Sequence, residues 1–127
     1  MKKLFALRGA SQCENTIDDI CTQIGLMYDE LLSLNHLDKN DIVSIIFSVT
    51  ADLNAVNPST ALRRYIRESG DEAGSEYALF SVQEPECGNS LERTVRVIVH
   101  CYLDEDSKPK HVYRNGAEVL RPDRAKR

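Results

Sequence analysis

Thr94-Val95-Arg96-Val97-Ile98-Val99-His100-Cys101-Tyr102 is the stretch that decides the architecture. Val95, Val97 and Val99 alternate with other residues at the period of a strand with one buried face. β-Branched side chains dominate it, and these suit a pleated surface. Ile42 to Val49 is also β-branched and largely apolar, and reads as a central strand of the same sheet. Shorter strands are expected at Leu4 to Leu7, where Arg8-Gly9-Ala10 stops the run, and at Tyr77 to Val82. The clearest helix begins at Thr16, a cap, with Asp19 three residues on completing a weak capping box. Ile17, Ile20, Cys21, Ile24, Met27, Tyr28, Leu31 and Leu32 then recur at helical spacing until Asn35 and His36 end it. Asn57-Pro58 reads as a cap followed by proline at the first helical position, opening a short helix to about Arg67.

The remaining segments connect these elements. Asp38 to Asp41 is a turn or a single helical turn, Asp52 to Asn57 is irregular, and Ser69 to Ser75 is a polar loop containing glycine. Pro85 to Asn89 and Asp104 to Lys110 are further loops, and the tail returns through His111-Val112-Tyr113 and Val119-Leu120 to a charged end expected to fray. The fold class is therefore α/β (α+β): a mixed sheet of four or five strands with one long and one short helix, in one domain over residues 1–127. One long helix cannot cover both faces of such a sheet, so the other face calls for a partner and an oligomer.

The 127 residues are 42% hydrophobic and carry a net charge of −4, with a pI of about 5.4. Nucleic-acid binding needs a basic face, so no nucleic-acid partner is expected. An acidic balance also makes arginines gathered in one place informative. The four cysteines, Cys13, Cys21, Cys87 and Cys101, form no CxxC pair, and His36, His100 and His111 complete no zinc spacing. Free thiols in a reducing compartment, with no metal, are the expectation. The apolar start stops at Arg8, too short for a signal peptide, and no run approaches the roughly 20 apolar residues that span a bilayer. A soluble, cytoplasmic protein with no membrane partner is expected.

The usual catalytic motifs are missing. The glycines are scattered rather than gathered into a phosphate loop, and there is neither a GxSxG elbow nor an HExxH pair. Arginine near strand ends is the feature left over. Arg96 interrupts a valine-rich strand, either as an outward-facing charge on a half-exposed strand or as a ligand. Arg8 marks the end of the first strand, as a surface charge or as a site residue. Arg63 beside Arg64 fits a solvated helix face, Glu84 beside Gln83 a polar loop, and Tyr113 a packing residue; each is also a candidate.

In order and spacing these residues resemble the monofunctional, trimeric chorismate mutases of the Bacillus type. The resemblance runs from about Leu7 to Asp123. Its stretches are Leu7-Arg8-Gly9-Ala10, Ser48-Val49-Thr50-Ala51-Asp52-Leu53-Asn54-Ala55-Val56, Asn57-Pro58 with Arg63, Val82-Gln83-Glu84, Arg96-Val97, His111-Val112-Tyr113 and Val119-Leu120-Arg121-Pro122-Asp123. The resemblance implies a trimeric, barrel-like assembly with each active site between two subunits. It implies the rearrangement of chorismate to prephenate in aromatic amino acid biosynthesis, with no cofactor. Arg8, Arg96 and Tyr113 would hold the substrate's carboxylates and ether oxygen, Glu84 its ring hydroxyl, and Arg63 would be a charge at the mouth. Phe80, Ser81, Val82, Gln83, Asn57, Thr60 and Leu120 complete the implied pocket. Asn57 stands where the family often has an aromatic residue, Thr60 where it has a lysine, and Ser81 where a cysteine is typical. The lost positive charge weakens substrate capture, while the Ser81 hydroxyl can still hydrogen-bond the substrate or Glu84. Two alternatives stand beside this reading. One is a RidA-like trimeric binding protein, which also uses interfacial arginines; the other is a mutase homologue that has lost activity.

Overall fold

A computed structural model describes residues 1–71 and 77–121. Its strands are β1 (Lys2–Gln12), β2 (Ile42–Val49), β3 (Ala78–Gln83), β4 (Thr94–Asp104) and β5 (Val112–Arg114). Its helices are α1 (Ile17–Asn35) and α2 (Pro58–Glu68), with 3-10 turns at Lys39–Asp41 and Ala117–Leu120. The five strands form one sheet in the order β3-β2-β4-β1-β5. β4 pairs antiparallel with β1 and β2, while β3 and β5 add parallel at the two edges.

Alternation in β4 puts Val95, Val97, Val99, Cys101 and Leu103 on one buried face. Leu7, Ile45 and Phe47 join them, and Ile20, Ile24, Met27 and Leu31 of α1 and Leu62 and Ile66 of α2 close this core. Thr16 caps α1, accepting a hydrogen bond from the Asp19 N–H at 3.1 Å. The Asp19 carboxylate returns to the N–H of Glu14 rather than to that of Thr16, so the box closes two residues upstream of the cap. His36 ends the helix in the left-handed conformation at φ 49°.

Both helices lie on the same face, and the other face of the sheet is largely uncovered. At the β5 end a small cluster of Ala10, Tyr113 and Ala117, with Leu91 and Leu120 against it, covers part of that face. Elsewhere it exposes large apolar side chains: Leu4 is 53%, Phe80 62%, Val82 42% and Tyr102 43% accessible.

Several boundaries differ from the sequence expectation. β1 runs well past Leu7, so Arg8 lies within the strand and does not end it. The apolar run Leu4 to Leu7 looks like a buried strand, yet only Leu7 is buried, because Leu4 and Ala6 point to the open face. Gly9 continues the strand where α1 approaches closely: a Cβ there would stand 3.1 Å from the Met27 sulfur. Val119 and Leu120 fall in a 3-10 turn. Residues 72–75 of the expected polar loop, Pro122 and Asp123 of the resemblance, and the charged end expected to fray lie outside the described residues.

Candidate active site

The register aligns the sequence candidates on the open face. Tyr113 of β5 pairs with Ala10 of β1, Ala10 with Arg96 of β4, Arg96 with Ser48 of β2, and Ser48 with Val82 of β3. These residues form one row across all five strands. The adjacent row on the same face is Arg8, Ile98, Ile46 and Phe80. Arg8 is thus diagonal to Arg96, at a spacing of about 7–8 Å for such positions. The small neighbours Ala10 and Ser48 leave the Arg96 side chain room over the sheet.

Glu84 enters from the end of β3. Its N–H donates to the Val49 carbonyl at 2.9 Å, carrying the parallel ladder past Gln83. Pro85 has no N–H, so the ladder stops there and the chain turns away. The carboxylate reaches back over the sheet, where Oε1 accepts a 2.6 Å hydrogen bond from Ser48 Oγ. Arg96 Nε lies 3.1 Å from the same oxygen, an ion pair by distance. The contact does not meet hydrogen-bond geometry, however, and among the described residues this buried nitrogen has no hydrogen-bond partner. The ion pair is therefore electrostatic rather than hydrogen-bonded, and the guanidinium keeps donors to spare. The backbone N–H of Arg8 donates to His111 Nδ1 at 2.9 Å, which ties β1 to the segment entering β5.

Arg8, Ser48, Glu84 and Arg96, over Ile46 and Ile98, line an open cleft of about 300 Å³. A second depression shares Glu84 and is lined also by Asp52, Glu86, Cys87 and Glu92. Negative charge there repels an anion, so Glu84 divides a cationic site from an acidic one. No group of three or more His, Cys, Asp or Glu side chains that could hold a metal occurs among the described residues.

The remaining candidates do not line that cleft within one chain. Tyr113 is buried and Leu120 partly buried in the small apolar cluster beside the arginines. Gln83 is exposed, as are Phe80 and Val82 on the open face. Asn57 is the N-cap of α2: its Oδ1 accepts from the Ser59 N–H at 2.9 Å and from Ser81 Oγ at 2.8 Å. Ser81 pairs with Phe47 in the register and so faces the core side. Its hydroxyl is engaged by Asn57 and Ser59 and does not reach Glu84 in the same chain, contrary to one expectation. Thr60 and Arg63 are exposed, one helical turn apart on α2. Sequence reasoning missed Ser48 as a site residue. The signal was present: Ser44 and Ser48 interrupt the apolar run of β2 four residues apart, which places both on one face.

Two relatives are similar over nearly all of the chain. Chorismate mutase AroH of Bacillus subtilis (strain 168) is 29% identical over 120 residues, covering 92% of this chain and 89% of that protein. The solved structure of the chorismate mutase from Clostridium thermocellum, Cth-682, is 40% identical, with a TM-score of 0.80 over 91% of this chain and 99% of its own. The model of one family, chorismate mutase type I, matches residues 4–124, and the chain belongs to that family.

Proposed function

We propose that this chain rearranges chorismate to prephenate, supplying aromatic amino acid biosynthesis, and that it does so as a cytoplasmic homotrimer whose sites lie between subunits. The observation that carries this reading is Arg96: a half-buried guanidinium on an open sheet face, beside Glu84 and diagonal to Arg8, with a buried Nε that has no hydrogen-bond partner among the described residues.

The reaction is an intramolecular Claisen rearrangement. The ether carbon–oxygen bond breaks as a carbon–carbon bond forms, with the electrons moving around one ring of atoms. No nucleophile, metal or external proton is required in that step, which suits a site built from arginines and one carboxylate. Arg8 and Arg96 offer planar forks to the two substrate carboxylates and hold the enolpyruvyl side chain over the ring. As the ether bond breaks, negative charge gathers on its oxygen. An Arg96 donor fixed at that oxygen binds the transition state more tightly than the ground state. Glu84 takes the ring hydroxyl and faces the carbon framework, which becomes partly positive. Tyr113, in the same row as Arg96, closes the carboxylate end.

The assembly is supported by the apolar side chains on the uncovered face and by the division of the candidates. Arg8, Glu84 and Arg96 meet in one chain, whereas Asn57, Thr60, Arg63 and Ser81 belong to the α2 side. A neighbouring copy would present these to the cleft and cover Phe80 and Val82. Cytoplasmic placement is supported by the four free thiols, which suit a reducing compartment. Mixing purified protein with chorismate, following the loss of its absorbance and identifying prephenate as product tests the proposal. Correctly assembled protein that leaves chorismate unchanged contradicts it and favours a homologue without activity.

A further inference from the structure

We infer that Ser48 is a positioning residue: its hydroxyl keeps Glu84 from forking onto the guanidinium of Arg96, so that both charges stay available to the substrate. The inference rests on the proposed reaction. A carboxylate beside an arginine ordinarily settles into a two-pronged pair, because the planar fork of one matches the two oxygens of the other. Here the pair is unmade. Arg96 approaches Glu84 through Nε, 3.1 Å from Oε1, and among the described residues no hydrogen bond joins the two side chains. Ser48 Oγ instead holds Oε1 at 2.6 Å, the short distance expected when a hydroxyl donates to a charged oxygen. Among the described residues Glu84 Oε2 has no hydrogen-bond partner, and it is the oxygen left for a substrate hydroxyl.

The backbone explains why serine can do this. Ser48 pairs with Arg96 on one side and with Val82 on the other, so its Cβ is fixed by two ladders. Glu84 is fixed through its own N–H to Val49, the residue after Ser48. The hydroxyl and the carboxylate are therefore held together by neighbouring backbone hydrogen bonds and need little reordering when substrate arrives. Without the hydroxyl, Oε1 has only Arg96 to turn to. The carboxylate is then expected to fork onto the guanidinium and neutralise both catalytic charges.

Ser48→Ala, Ser48→Thr and Glu84→Ala, with the double variant Ser48→Ala/Glu84→Ala, test this in the full chain. Ser48→Ala should lower kcat about tenfold with a smaller change in KM, as expected for loss of a hydrogen bond to a charged group. Ser48→Thr keeps the hydroxyl and should restore most of the rate, which a purely packing role would not allow. In the Glu84→Ala background the serine substitution should have little further effect, because the two act as a unit. Wild-type kcat in Ser48→Ala, or full additivity with Glu84→Ala, overturns the inference. A crystal structure of Ser48→Ala decides it without reference to turnover: Glu84 forked on Arg96 supports it, and Glu84 unmoved overturns it. A wild-type protein that does not convert chorismate instead overturns the proposed reaction and leaves that structural result to decide the role of Ser48.

Discussion

Arg96 occupies a strand whose opposite side is entirely core, and its nearest cross-strand neighbours are an alanine and a serine. Its fork matters as well as its charge. Arg96→Lys keeps the charge and loses the paired donors, so steady-state kinetics should show a large fall in kcat rather than rescue. Arginine stays protonated through the neutral range, and the rearrangement needs no proton transfer in its key step. Activity should therefore change little between about pH 6 and 9; a sharp bell would point to acid–base chemistry. Cysteine reactivity gives a check on burial. Burial pushes the Cys13 thiol up to about 12 and that of Cys101 up to about 11, and it also raises Cys21. A thiol reagent at pH 8 should label only Cys87 in the folded protein and all four cysteines in denaturant. Arg8 and Arg96 stand out in the sequence as charges beside apolar runs, whereas Glu84, among polar residues, was singled out by the resemblance. For Ser48 the sequence signals only a polar position on one face of β2; its contact with Glu84, 36 positions away, was not legible.

At the scale of elements, the two helices were the most legible parts. Each carries its own signals: a cap, a periodic apolar stripe and, for α2, Asn57-Pro58. The cap explains how Asn57 can replace an aromatic residue, since its oxygen serves the helix and the Ser81 hydroxyl. Asn57→Ala should lower stability by about 1 kcal/mol in chemical denaturation, more if Ser81 finds no new acceptor. Gly25 is where α1 and α2 touch, because a Cβ there would overlap the ring of Tyr65. Gly25→Ala should therefore destabilise by about 1–3 kcal/mol despite alanine's better helix propensity, measured in the same way. The ends of the strands were less legible. The extent of β1 depends on pairing with β4 along its whole length, and no local pattern in Arg8-Gly9-Ala10 announces that.

At the scale of the molecule, one covered and one open sheet face account for both the core and the site. That one sheet face stays open was already visible in the sequence, which has too little helix for two faces. Which candidates share the cleft of one chain was not, because it depends on strand order. Phe80→Asp puts a charge into the proposed contact between copies. Light scattering should then show a shift from three times the 14.3 kDa chain mass toward one, with loss of activity. Alkali should weaken the fold. Cysteine in the unfolded chain ionises near pH 8.5, whereas the folded chain holds the Cys101 and Cys13 protons to about 11 and 12. Stability should fall as pH rises through that window, because the folded state then binds more protons than the unfolded state.

The most direct test of the electrostatic claim is the steady-state kinetics of chorismate conversion by the wild type and by Arg96→Ala, each checked for assembly. A donor that acts on the breaking ether bond should cost about 100-fold to 1,000-fold or more in kcat when removed, with a smaller change in KM. An Arg96→Ala enzyme that keeps its kcat and only raises KM would show that the arginine binds ground and transition states alike, and would contradict the claim.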